Sequence, residues 1–85
     1  MKEFQYTVTD PLGMHARPAG LLVKEASSCE SSVKIIKGKK SVDAKRIFGV
    51  MGLAVKYGER ITVTVEGAQE DNEAARLEEF MRDNL

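Results

Sequence analysis

The hydrophobic period of this chain switches between two and about 3.6 several times, and the order of the switches leaves few architectures open. Phe4, Tyr6 and Val8 alternate with Glu3, Gln5 and Thr7, the pattern of a strand with one wet face. Asp10-Pro11-Leu12-Gly13 interrupts it with turn chemistry. From Ala16 the spacing becomes helical: Ala19, Leu22, Val23 and Ala26 recur on one side, while Lys24 and Glu25 face away. Pro18 suits the first turn, where its missing N–H has no intrahelical partner to lose. Ser27 and Ser28 end the helix. Val33 and Ile35 mark a second strand. Gly38-Lys39 fits a two-residue hairpin, and Lys40 to Asp43 return as a third strand. A brief helix is expected from Asp43 or Ala44 to about Val55, closed by Tyr57-Gly58. Ile61, Val63 and Val65 then alternate with threonines as a fourth strand. Gly67 turns into a last helix whose start carries Glu70, Asp71 and Glu73, where the helix dipole favours anions. Ala74, Leu77, Phe80 and Met81 form its apolar stripe.

The order is therefore βαββαβα. Strands with one apolar face need one covering layer, and the amphipathic helices supply it, so the class is α+β with a split-βαβ arrangement. Periodicity does not set the strand order. At 85 residues there is material for one core only, so a single domain over residues 1–85 is expected. Thirteen basic and thirteen acidic side chains balance, and no overall field draws the chain to nucleic acid or acidic membrane. The single cysteine, Cys29, excludes an internal disulfide, and neither it nor the single histidine can build a metal site. No apolar run is long enough to span a bilayer, and the chain opens on an alternating pattern rather than a signal peptide. A cytoplasmic domain without metal or cofactor is expected.

His15 is the candidate reactive residue. It stands between a glycine-containing turn and a helix start, with Arg17 two residues on. The first amides of a helix lack intrahelical acceptors, and the dipole adds partial positive charge, which makes the position suited to an anion. An imidazole there can attack phosphorus, with Arg17 and the backbone amides of Ala16 and Arg17 receiving the phosphoryl oxygens. No serine is placed to form a hydrolytic triad with His15. Gly49-x-x-Gly52 falls inside a predicted helix and reads as a close-packing feature rather than a phosphate loop.

The helix expected over 44–55 is apolar on too much of its circumference for a one-layer domain. At about 100° per residue, Val50, Leu53 and Ala54 share one side and Ile47, Phe48 and Met51 another. With the first set on the sheet, the second is an exposed patch of the kind that binds partners. The alternative assignment buries Ile47, Phe48 and Met51 and exposes Leu53. Lys34 to Arg46 holds six basic residues against one acidic. Lys37, Lys39 and Lys40 read as guards of a sheet edge, and Lys45 and Arg46 as charges able to steer an acidic partner.

The run Leu12-Gly13-Met14-His15-Ala16-Arg17-Pro18-Ala19 closely resembles the LGxHARPA signature of the HPr family, the histidine-containing phosphocarriers of the bacterial sugar phosphotransferase system. Arg46 to Leu53 resembles the family's second signature, at matching spacing. The resemblance implies an open-faced β-sandwich, with a four-stranded antiparallel sheet in the order 1-4-2-3 covered on one side by three helices. It implies that His15 accepts a phosphoryl group on Nδ1 from phosphorylated Enzyme I and passes it to IIA components of sugar permeases. Arg17 is implied as the phosphoryl-stabilising residue, and Ile47, Phe48 and Met51 as members of the partner surface of a monomeric, stoichiometric carrier rather than an enzyme. Met14, beside His15, is also expected to bind partners. One position departs from the pattern. Arg46 occupies the place of a serine that a dedicated kinase phosphorylates in many Gram-positive members, so no regulatory serine is present. Arg46 cannot cap the helix as serine would, which makes Asp43 the expected cap. Two other readings are weaker: a regulatory module using the patch without phosphotransfer, which the presence of His15 disfavours, and RNA binding by the lysine hairpin, which lacks aromatic stacking partners.

Overall fold

Alternation of apolar and polar residues produces four strands, and the three stretches of helical spacing produce the helices. In the computed structural model, which describes residues 1–85, these are β1 (Lys2–Thr7), α1 (Ala16–Ser27), β2 (Ser32–Lys37), β3 (Lys40–Asp43), α2 (Ile47–Gly52), β4 (Arg60–Glu66) and α3 (Glu70–Asn84). The sheet is antiparallel throughout, in the order β1-β4-β2-β3. Its register stacks Phe4 on Val63, Val63 on Ile35 and Ile35 on Val42 across all four strands. The neighbouring positions Gln5, Thr62, Ile36 and Ser41 form a row on the opposite, open face. One face is thus covered by helices and the other is left to solvent, as in the open-faced sandwich.

The buried layer between sheet and helices comprises Val33, Ile35, Ile61, Val63 and Val65 below and Ala19, Leu22, Ala26, Val50, Leu77 and Met81 above. Phe80, expected in the apolar stripe of the last helix, packs only partly buried against this core. The Gly38-Lys39 hairpin forms as expected, with Gly38 at φ +59° and Lys37 paired with Lys40.

The second helix departs most from expectation, running over six residues rather than twelve. The chain does not enter it at Asp43 because Ala44 N–H still donates to Val33 C=O at 2.9 Å, prolonging the strand. Asp43 does not cap the helix either. Its Oδ1 accepts from Lys45 N–H at 2.9 Å, closing a local turn, and Arg46 takes the cap position without any side-chain bond. At the far end Ala54 adopts φ +51°, a left-handed conformation that stops the helix and turns its side chain to solvent rather than to the sheet. Lys37 makes that stop possible. Its ammonium donates to the carbonyls of Leu53 and Ala54, both at 3.1 Å, and pairs with Glu59 at 3.0 Å. Lys37 is therefore a clamp on the end of α2 rather than an edge guard. Gly49 lies close to Val42, where an added Cβ would stand 3.4 Å from the valine Cβ, but Gly52 faces open space and needs no such account.

A second clamp joins α3 to the segment just before β2. The buried Glu73 carboxylate accepts from Glu30 N–H at 2.7 Å, Ser31 N–H at 3.0 Å and the Ser31 hydroxyl. Gly67 lies so near Ser31 that a Cβ would come within 2.7 Å of its Oγ, so the close approach excludes any larger residue. The Ser31 hydroxyl, with two backbone amides helping against desolvation, holds the Glu73 carboxyl below its ordinary value of 4.5. A carboxyl depressed in the folded state stabilises the fold above its unfolded value, and that contribution is lost as the pH falls through the folded one. The wild type is thus expected to lose stability more steeply below about pH 4.5 than Glu73→Gln, in denaturant midpoints measured across acid pH. Parallel slopes would remove Glu73 from the acid response.

Candidate functional site

The loop between β1 and α1 is tied to Leu85 and closed by its own turn. Thr9 and Asp10 N–H donate to Leu85 C=O at 2.7 and 2.9 Å, and Gly13 N–H donates to Asp10 C=O at 2.8 Å. Asp10 Oδ1 also accepts from Leu12 N–H at 2.9 Å. Gly13 sits at φ +71°, and a Cβ there would come within 2.5 Å of the Val55 oxygen. Only glycine fits, and it lets Met14 N–H reach Val55 C=O at 2.8 Å. This descent carries the Met14 side chain into the core, where it is 5% exposed. Met14, expected among the partner-binding residues, is therefore not part of the exposed surface.

His15 follows as the N-cap residue of α1, with extended backbone (φ −80°, ψ −175°) and a side chain free of capping duty. Its own carbonyl accepts Ala19 N–H at 3.0 Å, while the amides of Ala16 and Arg17 have no backbone acceptor. Pro18, the next residue, has no N–H and is buried. Two open amides therefore stand beside the imidazole. The ring is partly exposed, and its Nε2 faces Asp10 Oδ2 at 3.6 Å. The Arg17 side chain is exposed and enters none of the molecule's ion pairs. His15 and Arg17 line an open cleft of about 210 Å³ with Asp10, Pro18, Leu21, Asp83 and Asn84. A half-exposed imidazole and a free guanidinium bordering one small cleft, at a helix start with two free amides, can hold a tetrahedral dianion beside a nucleophilic nitrogen.

The sequence placed His15, Ala16 and Arg17 correctly at a helix start. It did not show Asp10 or Asp83 in the cleft. Asp10 was legible only as a turn residue, and Asp83 arrives from the far end of the chain because α3 packs beside α1.

The apolar patch is present on α2, which packs against α1. Val50 and Leu53 are buried, whereas Phe48 is 87% exposed and Met51 is 40% exposed. Ile47 is half-buried and rests on the core. Of the two neighbouring cations, Arg46 is exposed near Asp43, but Lys45 is held by Cys29 C=O at 3.1 Å. Only Arg46 has the freedom expected of a steering charge. No helix is long and apolar enough to cross a membrane.

Known proteins resemble this one along almost the whole chain. Residues 2–83 match the family model described as the PTS HPr component phosphorylation site. The phosphocarrier protein HPr of Lysinibacillus sphaericus is 49% identical over 71 residues, covering 84% of this chain and 81% of that protein. That of Mycoplasma capricolum is 39% identical over 83 residues, covering 98% and 93%. Among solved structures, the Mycoplasma histidine-containing phosphocarrier protein superposes with a TM-score of 0.92 at 38% identity, covering 96% of this chain and 93% of that one. HPr-C-His from Thermoanaerobacter tengcongensis gives 0.93 at 34% identity, covering 99% and 94%. The family model and these relatives show that the chain belongs to the HPr family of phosphocarriers of the phosphotransferase system.

Proposed function

We propose that this protein is a stoichiometric relay, taking a phosphoryl group on His15 Nδ1 from phosphorylated Enzyme I and delivering it to IIA components of sugar permeases. The observation that carries the reading is the first turn of α1, where a partly exposed imidazole and the unpaired Arg17 border one cleft and the amides of Ala16 and Arg17 have no backbone acceptor. In the forward step the Nδ1 lone pair attacks phosphorus, and the new N–P bond forms as the bond to the donor breaks. The donor keeps the electron pair of that bond. The amides of Ala16 and Arg17 and the Arg17 guanidinium receive the phosphoryl oxygens, spreading the charge that builds on them. Delivery runs the same steps toward the acceptor.

Phe48, Met51 and the edge of Ile47 serve as the docking surface for both partners. A cleft open to the surface suits a carrier whose reactants are proteins. The relay acts as a single domain and a monomer in the cytoplasm. Arg46 offers no hydroxyl at the head of α2, so serine phosphorylation there is not a control on this chain.

The test is reconstitution. Incubation with Enzyme I and radiolabelled phosphoenolpyruvate should label the protein, and the purified labelled form should transfer its label to an added IIA domain. Label that enters but never leaves to any IIA domain would reduce the protein to a phosphoryl acceptor outside a relay.

A further inference from the structure

We propose that Asp10 is the positioning residue for His15: its carboxylate faces Nε2, favours the ring with the proton on that nitrogen, and leaves the Nδ1 lone pair for phosphorus. The inference rests on the phosphocarrier reading above and adds a residue to it. Three bonds hold Asp10 in place. Its N–H donates to Leu85 C=O, its C=O accepts from Gly13, and its Oδ1 accepts from Leu12 N–H. With Oδ1 engaged in the turn, Oδ2 is the oxygen left to face His15, at 3.6 Å from Nε2. That separation is an ion-pair distance, longer than a formed hydrogen bond, as is common in resting sites that tighten on reaction. Which imidazole nitrogen is free for chemistry is set by what the other one faces.

The proton balance follows. A ring protonated at Nε2 attacks through Nδ1 and needs to lose no proton, because the Nε2 proton stays in place throughout. The phosphorylated ring then carries positive charge, and Asp10 is the acidic side chain within ion-pair distance of the ring. Asp83 also lines the cleft but is exposed and takes part in no ion pair, so it lacks the fixed placement of Asp10.

Asp10→Asn separates the carboxylate from the turn. The asparagine carbonyl can still accept from Leu12 N–H, which turns the amide NH₂ toward Nε2. An amide donor there favours a lone pair on Nε2 and hence the proton on Nδ1. Nitrogen-15 NMR of the His15 ring in alkaline solution, where the imidazole is neutral, reads the two forms directly. The wild type is expected to hold its proton mainly on Nε2, and Asp10→Asn to raise the Nδ1-protonated fraction several-fold. Phosphoryl acceptance from Enzyme I should slow by roughly three- to ten-fold in the variant. Should Asp10→Asn fail to fold, Asp10→Ser keeps a turn-forming oxygen without the carboxylate and is read the same way. An unchanged tautomer ratio overturns the proposal, and so does a changed ratio with an unchanged transfer rate. Failure of the wild type to accept phosphoryl would instead count against the relay reading, since the tautomer comparison needs no donor.

Discussion

Replacing Arg17 with alanine is expected to slow phosphoryl acceptance by about 10²-fold, with the fold left intact. The side chain is exposed and makes no ion pair within the protein, so its removal leaves neither a cavity nor a stranded partner. What is lost is charge at the point where negative charge accumulates on the transferring group. The two backbone amides remain, which is why the rate falls without vanishing. Arg17→Lys should recover only part of the loss, because a lysine restores the charge but not the planar fork that grips two oxygens at once. Single-turnover rates with phosphorylated Enzyme I, alongside circular dichroism of each variant, make the measurement. A variant that is slow because it is unfolded, or one that transfers at the wild-type rate, would remove Arg17 from the site.

The largest stability contrast is expected between Phe48 on α2 and Leu53 at its C-terminal cap. Leu53→Ala should cost about 2–5 kcal/mol, the usual penalty for emptying a buried leucine site. Phe48→Ala should change stability by no more than about 0.5 kcal/mol, as for most surface substitutions. The exposures decide it: Leu53 is 3% accessible and Phe48 is 87%. The order reverses in a docking assay. An exposed aromatic anchor at a binding hot spot commonly contributes more than about 1 kcal/mol, so Phe48→Ala should weaken the interaction with Enzyme I at least about five-fold. Denaturant midpoints and titration of the transfer rate against carrier concentration separate the two effects. If Phe48→Ala proves the more destabilising of the pair, the faces of α2 are reversed.

How much of this was legible in the sequence depends on whether the cause was local. The strands and the first and last helices follow from short-range periodicity, and β3 matches its expected residues. The hairpin at Gly38-Lys39 rests on a conformation that glycine adopts without strain, which is also local. The exposed patch could be placed because a helix on one layer can bury only one side. The strand order could not be read from periodicity, which carries no information on which strands pair. It came from the family resemblance, and the structure shows the same order.

The misses share a physical origin in long-range contacts. Helix α2 is short because Val33 holds Ala44 in the sheet and Lys37 stops the helix from a strand sixteen residues earlier than its first acceptor. Met14 is buried because Gly13 passes directly over Val55. Glu73 looked like a dipole-favoured surface acid but is a buried acceptor for Glu30 and Ser31. In the site, Asp10 and Asp83 were missed for the same reason. Neither position carries a local signal for the cleft, and each owes its place to packing at the junction of β1, α1 and α3.

The central claim is that His15 carries the phosphoryl group, and intact-mass spectrometry tests it most directly. Wild-type protein incubated with Enzyme I and phosphoenolpyruvate should gain the mass of one phosphoryl group. The adduct should disappear on mild acid treatment and persist in alkali, as a phosphoramidate does and a phosphoserine does not. His15→Ala should fold and gain nothing. No adduct on the wild type with an Enzyme I that phosphorylates another HPr, or an adduct of equal yield on His15→Ala, would contradict the account.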